Sequence, residues 1–131
     1  VDDLVSALSA RGERVALVPT PPDRLLVVRA ADAHPLGELE TRSAGPSELV
    51  VWRLCIDEFS RGYGAGSEAV RLLCSAAAAA GWERLRARAH PNFGLSVYFW
   101  IRMGFRPLHG EGPEGGIWFE RALGRRPSPA R

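Results

Sequence analysis

Lysine is absent from this chain: all 17 basic residues are arginine. That excludes the G-x-x-x-x-G-K-[ST] phosphate loop, whose lysine must reach the terminal phosphates. Cysteine is scarce, with only Cys55 and Cys74. One falls in an apolar strand pattern and the other in an apolar helix pattern. Buried free thiols are therefore expected, and neither a disulfide nor a metal site is. No apolar run reaches 18 residues, so no segment is expected to span a membrane. Val1–Arg11 lacks the basic-then-apolar order of a secretory signal, and a soluble, cytoplasmic protein is the expectation. Charge of one sign is not in excess either. The formal balance of +2 falls well short of a basic nucleic-acid-binding domain, so no nucleic-acid partner is expected. The arginine-only usage, rich also in alanine and proline, is the codon signature of a GC-rich genome and points to a bacterial source.

What is present fits one globular domain. The chain has 131 residues, 46% hydrophobic and 24% charged, and roughly 100 residues suffice for an independent core. The domain is expected over 1–123, with "GRRPSPAR" (124–131) as a polar, disordered tail. Leu4, Val5 and Leu8 recur at helical spacing before Gly12, which predicts one short N-terminal helix. Strands are predicted over 14–19, 24–30, 35–42 and 48–57, the second and third forming an antiparallel hairpin. In 48–57, alternation puts Val50, Trp52 and Leu54 on one face and Val51, Arg53 and Cys55 on the other. "SEAVRLLCSAAAAAG" carries an apolar stripe through Val70, Leu73, Ala77 and Ala80, with Gly81 as its stop. A strand over 83–90, a short aromatic helix over 95–103, and strands over 105–108 and 116–123 complete the order. The fold class is α/β (α+β): a mixed, mostly antiparallel sheet of six to seven strands with helices on both faces.

The stretch "SRGYGAGSEAVRLL" (60–73) carries the chemistry. A glycine-rich turn between a strand and a helix start leaves the first helical N–H groups unpartnered, and the helix dipole adds partial positive charge. Glycine lets backbone approach a phosphate and reach φ > 0 without strain. Arg61 stands where a guanidinium could reach the same anion. The bland alternative is a tight turn that is merely rich in glycine. Gly64-Ala65-Gly66-Ser67-Glu68-Ala69 also fits G-x-G-x-x-A, but the dinucleotide pattern needs an acid near the end of the next strand. That strand ends in Arg88 and His90, and antiparallel elements precede the glycines, so a doubly wound sheet is disfavoured.

"RGYGAG" (61–66) resembles the R/Q-x-x-G-x-G/A loop of the GNAT acyltransferase superfamily. "LCID" (54–57) resembles that family's fourth strand, and "NFGLSVYFWIRMGF" (92–105) its N-x-x-A-x-x-x-Y-x-x-x-G-F half-motif. The resemblance covers about residues 48–108. It implies a splayed central strand pair, here 48–57 and 83–90, with acetyl-CoA or another acyl-CoA as co-substrate. The loop residues Arg61, Gly62, Tyr63, Gly64, Ala65, Gly66 and Ser67 would hold the pyrophosphate. Leu54, Cys55 and Ile56 would line the pantetheine arm, and Asn92 and Ser96 would contact CoA. The implied reaction is acyl transfer to an amine by direct attack in a ternary complex.

Two departures bear on catalysis. The family tyrosine that often serves as acid toward the leaving thiolate falls at Trp100. Tyr98 lies two residues earlier, roughly 200° round the helix. An indole N–H donates a hydrogen bond but does not release its proton at neutral pH, so as a catalytic-site residue Trp100 would orient the thioester sulfur, or water would protonate the thiolate; its bland reading is core packing. Asn92 precedes Ser96 by four residues rather than three. Glu38 and Glu40, on one face of strand 35–42, are the candidate general bases, with a solvated strand face as their bland reading. Glu111 and Glu114 could draw in a cationic amine. The family's two N-terminal helices reduce here to one short helix, which leaves the acceptor site open or completed by a second subunit in a homodimer. The rival functions are a non-catalytic acyl-CoA sensor, favoured by the missing tyrosine, and a nucleotide-binding module using the same anion site.

Overall fold

The computed structural model describes residues 3–57, 64–89, 94–108 and 117–123, with the side chains of 94–96 outside that description. The segment 124–131 lies outside it too.

Antiparallel ladders build most of the sheet. A two-residue strand β1 (Ala10–Arg11) pairs with β2 (Val15–Thr20), and β2 turns through 21–23 into β3 (Arg24–Arg29). β3 pairs with β4 (Pro35–Ser43), and β4 with β5 (Glu48–Ile56). Helix α1 (Ala65–Ala79) then carries the chain to β6 (Arg84–Ala89), which lies parallel to β5. Helix α2 (Gly94–Arg102) precedes β7 (Arg106–Pro107) and β8 (Ile117–Ala122). The sheet has eight strands in the order β1-β2-β3-β4-β5-β6-β8-β7. Among the described residues one parallel pair stands in a mixed, mostly antiparallel sheet, which is no doubly wound architecture.

The eighth strand, beyond the six or seven expected, comes from the predicted N-terminal helix. Only a 3-10 turn forms there, Ser6–Leu8, and Ala10 and Arg11 pair with Leu17 and Ala16. A helix this short has too little propagation to repay its nucleation, and the ladder takes the next residues instead.

Both helices pack into one shared core. Gly66 of α1 packs against the Phe99 ring of α2, with its missing Cβ position 3.6 Å from a ring carbon. From β8, Arg121 donates to the Met103 carbonyl at the end of α2 (2.9 Å) and approaches Cys74 Sγ of α1 (3.6 Å). One core serves both helices, joining Leu49 and Val51 of β5, Leu85 and Ala87 of β6, Val70, Leu73 and Ala77 of α1, and Trp100 and Phe105. A short turn occupies the place between β2 and β3, so the described residues put no helix on the opposite face.

A carboxylate fixes the start of α1 to the β1–β2 turn. Glu68, in the first turn of α1, accepts the main-chain N–H groups of Arg14 and Val15, each at 2.7 Å. A negative group at a helix N-terminus is favoured by the dipole. Gly12 is bare because a Cβ there would sit 2.5 Å from the same carboxylate oxygen.

Candidate functional site: a forked strand pair beside a helix start

The central strands part company after four residue pairs. β5 and β6 pair from Glu48–Arg84 to Val51–Ala87 and no further. Beyond that point β6 continues against β8 alone, while β5 runs on to Ile56 against β4. A β-bulge marks the fork. Glu40 faces Arg53 and Thr41 faces Val51, which leaves Trp52 as the extra residue on β5. A bulge bends its strand and breaks the ladder locally.

The bulge also shifts the facing pattern. Leu49 and Val51 lie in the core; after Trp52 it is Leu54 and Ile56 that pack against it, while Arg53 and Cys55 are exposed. Cys55 is therefore an exposed free thiol, contrary to the buried state expected. Cys74 is buried, and that burial pushes its thiol pKa up, against the smaller opposing pull of Arg121.

Main-chain direction at the fork follows from one hydrogen bond. Asp57 N–H donates to the Leu36 carbonyl on β4 at 2.7 Å. Along an extended strand the N–H and C=O of alternate residues point the same way. Residues 53, 55 and 57 thus turn their peptide groups to β4, while Leu54 and Ile56 turn theirs to the side that β6 has left. An extended chain could add beside Leu54 as a further strand.

The helix start lies beside the end of β5. Gly64, the N-cap of α1, has φ +86° and no side-chain cap. Its carbonyl accepts the Glu68 N–H, so the amides of Ala65, Gly66 and Ser67 precede the first helical bond. Ala65 is buried in the core, leaving only its main chain for a ligand. Gly66 sits between Ile56 and Phe99, each 3.6 to 3.7 Å from its missing Cβ. Arg61, Gly62 and Tyr63 fall outside the described residues, as do Asn92, Glu111 and Glu114; Ser96 is placed only by its backbone.

The helix-free face of the fork is built differently. Trp52 is stacked between two guanidiniums, Arg42 at 3.6 Å and Arg88 at 4.2 Å from its ring centre, with the Trp118 ring 6.0 Å away. Among the described residues the buried Trp118 indole N–H has no hydrogen-bond partner. Glu38 pairs with Arg24 at 3.1 Å and lies 3.9 Å from Arg53, while Glu40 lies 3.6 Å from Arg42. Both carboxylates share this face, and Glu40 stands across β4–β5 from the bulge.

No protein-family model matches the sequence, and no curated protein matches it. Solved structures do match in fold. An acetyltransferase of the GNAT family from Staphylococcus aureus superposes with a TM-score of 0.65 at 14% identity, over 77% of this chain and 67% of that one. An acetyltransferase from Thermus thermophilus gives 0.64 at 26% identity, over 79% and 67%. The ribosomal-protein-S18-alanine N-acetyltransferase from Escherichia coli gives 0.66 at 12%, over 91% and 76%.

The chain has the fold of the GNAT acetyltransferase superfamily. Within this GNAT fold, Trp100 takes the place that the family motif gives to a tyrosine, and it is a core residue. It is 4% exposed and packs edge-on against Phe99 (5.0 Å) and Phe105 (4.9 Å). Tyr98, by contrast, is 69% exposed. Trp100→Tyr is therefore expected to lower stability by about 1–2 kcal/mol, through lost packing and an unpaired hydroxyl. It should not install a proton donor. Chemical denaturation and the rate of thiol release check the two halves of that statement; faster release would return the position to the chemistry.

Proposed function

We propose that this chain is an acyl-CoA-dependent N-acyltransferase that passes an acetyl or other acyl group to an amine by direct attack in a ternary complex. The observation that carries the reading is the fork: β5 and β6 separate after Val51–Ala87, beside a helix start that no side chain caps among the described residues. The residues fit the group. Acyl-CoA supplies an activated acyl carbon and a thiolate leaving group.

The chain's own parts divide the work. Gly62 to Ser67 hold the pyrophosphate with main-chain N–H groups at the positive end of α1. Leu54 and Ile56 align the pantetheine arm through their peptide groups, with Cys55 between them facing the other way. The narrow end of the fork, at Val51 and Trp52, holds the thioester. The amine arrives from the helix-free face, over Trp52, Arg88 and Trp118. Glu40 is assigned the proton of the attacking amine, with Glu38 beyond it on the same strand face. Holding acyl donor and amine together makes the attack effectively unimolecular.

A second reading, an acyl-CoA sensor without turnover, is favoured by the burial of Trp100, which offers the thiolate no proton. Calorimetry with acetyl-CoA, followed by thiol release with a panel of amines, separates the two. The transferase reading expects binding and release with at least one amine. Binding with no release on any amine would support the sensor, and preference for NAD or ATP over CoA would end both readings.

A further inference from the structure

We propose that the acceptor is an amine carrying its own carboxylate, as an amino acid does, and that Arg88 and Trp118 hold that carboxylate. The proposal rests on the acyltransferase reading and names the acceptor class that reading leaves open. The last pair of the β5–β6 ladder is Val51 with Ala87. The next residues on the two strands are Trp52 and Arg88, and their side chains meet on the helix-free face, with the guanidinium 4.2 Å from the ring centre. Trp118 is the β8 partner of Arg88, and its ring centre stands 6.0 Å from that of Trp52. An amine approaching the narrow end of the fork from this face passes over these three side chains.

Among the described residues, donors exceed acceptors at this place. Arg42 and Arg88 bring two guanidiniums to one indole, and Glu40, 3.6 Å from Arg42, is the carboxylate beside them. Glu38 is engaged by Arg24 and Arg53. A polyamine meets an adverse balance of charge there, and an amine with a carboxylate a favourable one. The indole of Trp118 is a second, independent sign. Trp118 is 8% exposed, and its buried N–H has no partner among the described residues. A buried donor without an acceptor is costly, and folded proteins keep few of them. One oxygen of a carboxylate supplies the missing acceptor, and the other meets the Arg88 guanidinium. Stacking on Trp52 holds that guanidinium beside the fork before the acceptor arrives. The strand order β4-β5-β6 then leaves the amine facing Glu40, on the other side of Trp52. Two strand spacings are about 9.5 Å. Two hydrogen bonds of about 2.9 Å and the amine-to-carboxylate separation of an α-amino acid fill that span. The neutral amine's lone pair forms the amide bond as the thioester C–S bond breaks, one amine proton passes to Glu40, and CoA leaves as thiolate.

The test is thiol release from acetyl-CoA by the full chain with matched acceptors: L-amino acids, their carboxamides and the decarboxylated amines. For at least one side chain the amino acid is expected to exceed the other two by about 10- to 100-fold in kcat/KM. Arg88→Gln and Trp118→Phe are each expected to raise KM for the amino acid by about fivefold or more, leaving the carboxamide rate and the calorimetric CoA affinity within about twofold, and Arg88→Lys to recover part of the loss. A merely structural role would weaken all acceptors alike. Arg102→Ala, exposed at the end of α2, serves as a charge control and should change nothing by more than about twofold. A chain that binds acetyl-CoA and acylates carboxamides or decarboxylated amines as well as amino acids overturns this assignment and leaves the transferase reading intact. So does a preference for the carboxylate that both Arg88→Gln and Trp118→Phe retain. Binding of acetyl-CoA with release on no acceptor overturns the assignment in favour of the sensor. Failure of the unaltered chain to bind acetyl-CoA removes the acyl-CoA reading and this assignment with it.

Discussion

Gly64→Val is expected to reduce CoA affinity by at least about 100-fold while costing the fold only about 2 kcal/mol. Two effects combine. Gly64 sits at φ +86°, where a β-branched residue is strained. Its new Cβ would also stand 2.6 Å from the Arg14 guanidinium. That guanidinium is the far end of a flexible side chain and can swing away, so the fold survives. The methyl groups then occupy the mouth formed by the amides of Ala65 to Ser67. Losing two or more charge-assisted hydrogen bonds accounts for the expected drop. Calorimetry with CoA and urea denaturation measure the two quantities separately. A valine variant that binds CoA within tenfold of wild type would remove the helix start from the site.

The second large effect is on stability and falls on a glycine that no motif marks. Gly37 of β4 lies opposite Ile56 of β5, at the open end of the fork. A Cβ there would lie 2.2 Å from the Cys55 carbonyl oxygen and 3.0 Å from the Ile56 Cα. Both are main-chain atoms and cannot rotate away. Gly37→Ala and Gly37→Val are each expected to destabilise by about 3 kcal/mol, since the clash arises at Cβ itself. Either would drive the tip of β5 from β4 and tilt the peptide groups of Leu54 and Ile56. Urea midpoints give the stability, and a neutral alanine variant would contradict the close approach.

Gly64 illustrates what is legible in one dimension. A bare residue between an apolar run and a helical stripe announces a left-handed turn and a helix start, and both are present. The hairpins likewise follow from alternation and turn residues. The bulge at Trp52 does not. Apolar side chains run unbroken from Leu49 to Trp52, so a change of phase inside that run leaves no trace, and Cys55 is assigned to the wrong environment. Gly37 is silent for another reason. Its meaning depends on Cys55 and Ile56, partners farther along the chain that only the fold brings near. Trp100 follows the family motif in position, yet its two ring neighbours make it core. The N-terminal stretch obeys helical spacing for one turn and then yields to a ladder that spacing cannot foresee.

The parallel ladder between β5 and β6 is four residue pairs long, and it is the main-chain seam between two antiparallel leaves, β1–β5 and β6–β8–β7. The molecule is in this respect a book with a short spine. Anything lodged in the gap acts as a splint, bonding one leaf along its margin and bracing the other. Occupancy and rigidity are then thermodynamically linked, so the empty protein would open along that spine more readily than the loaded one.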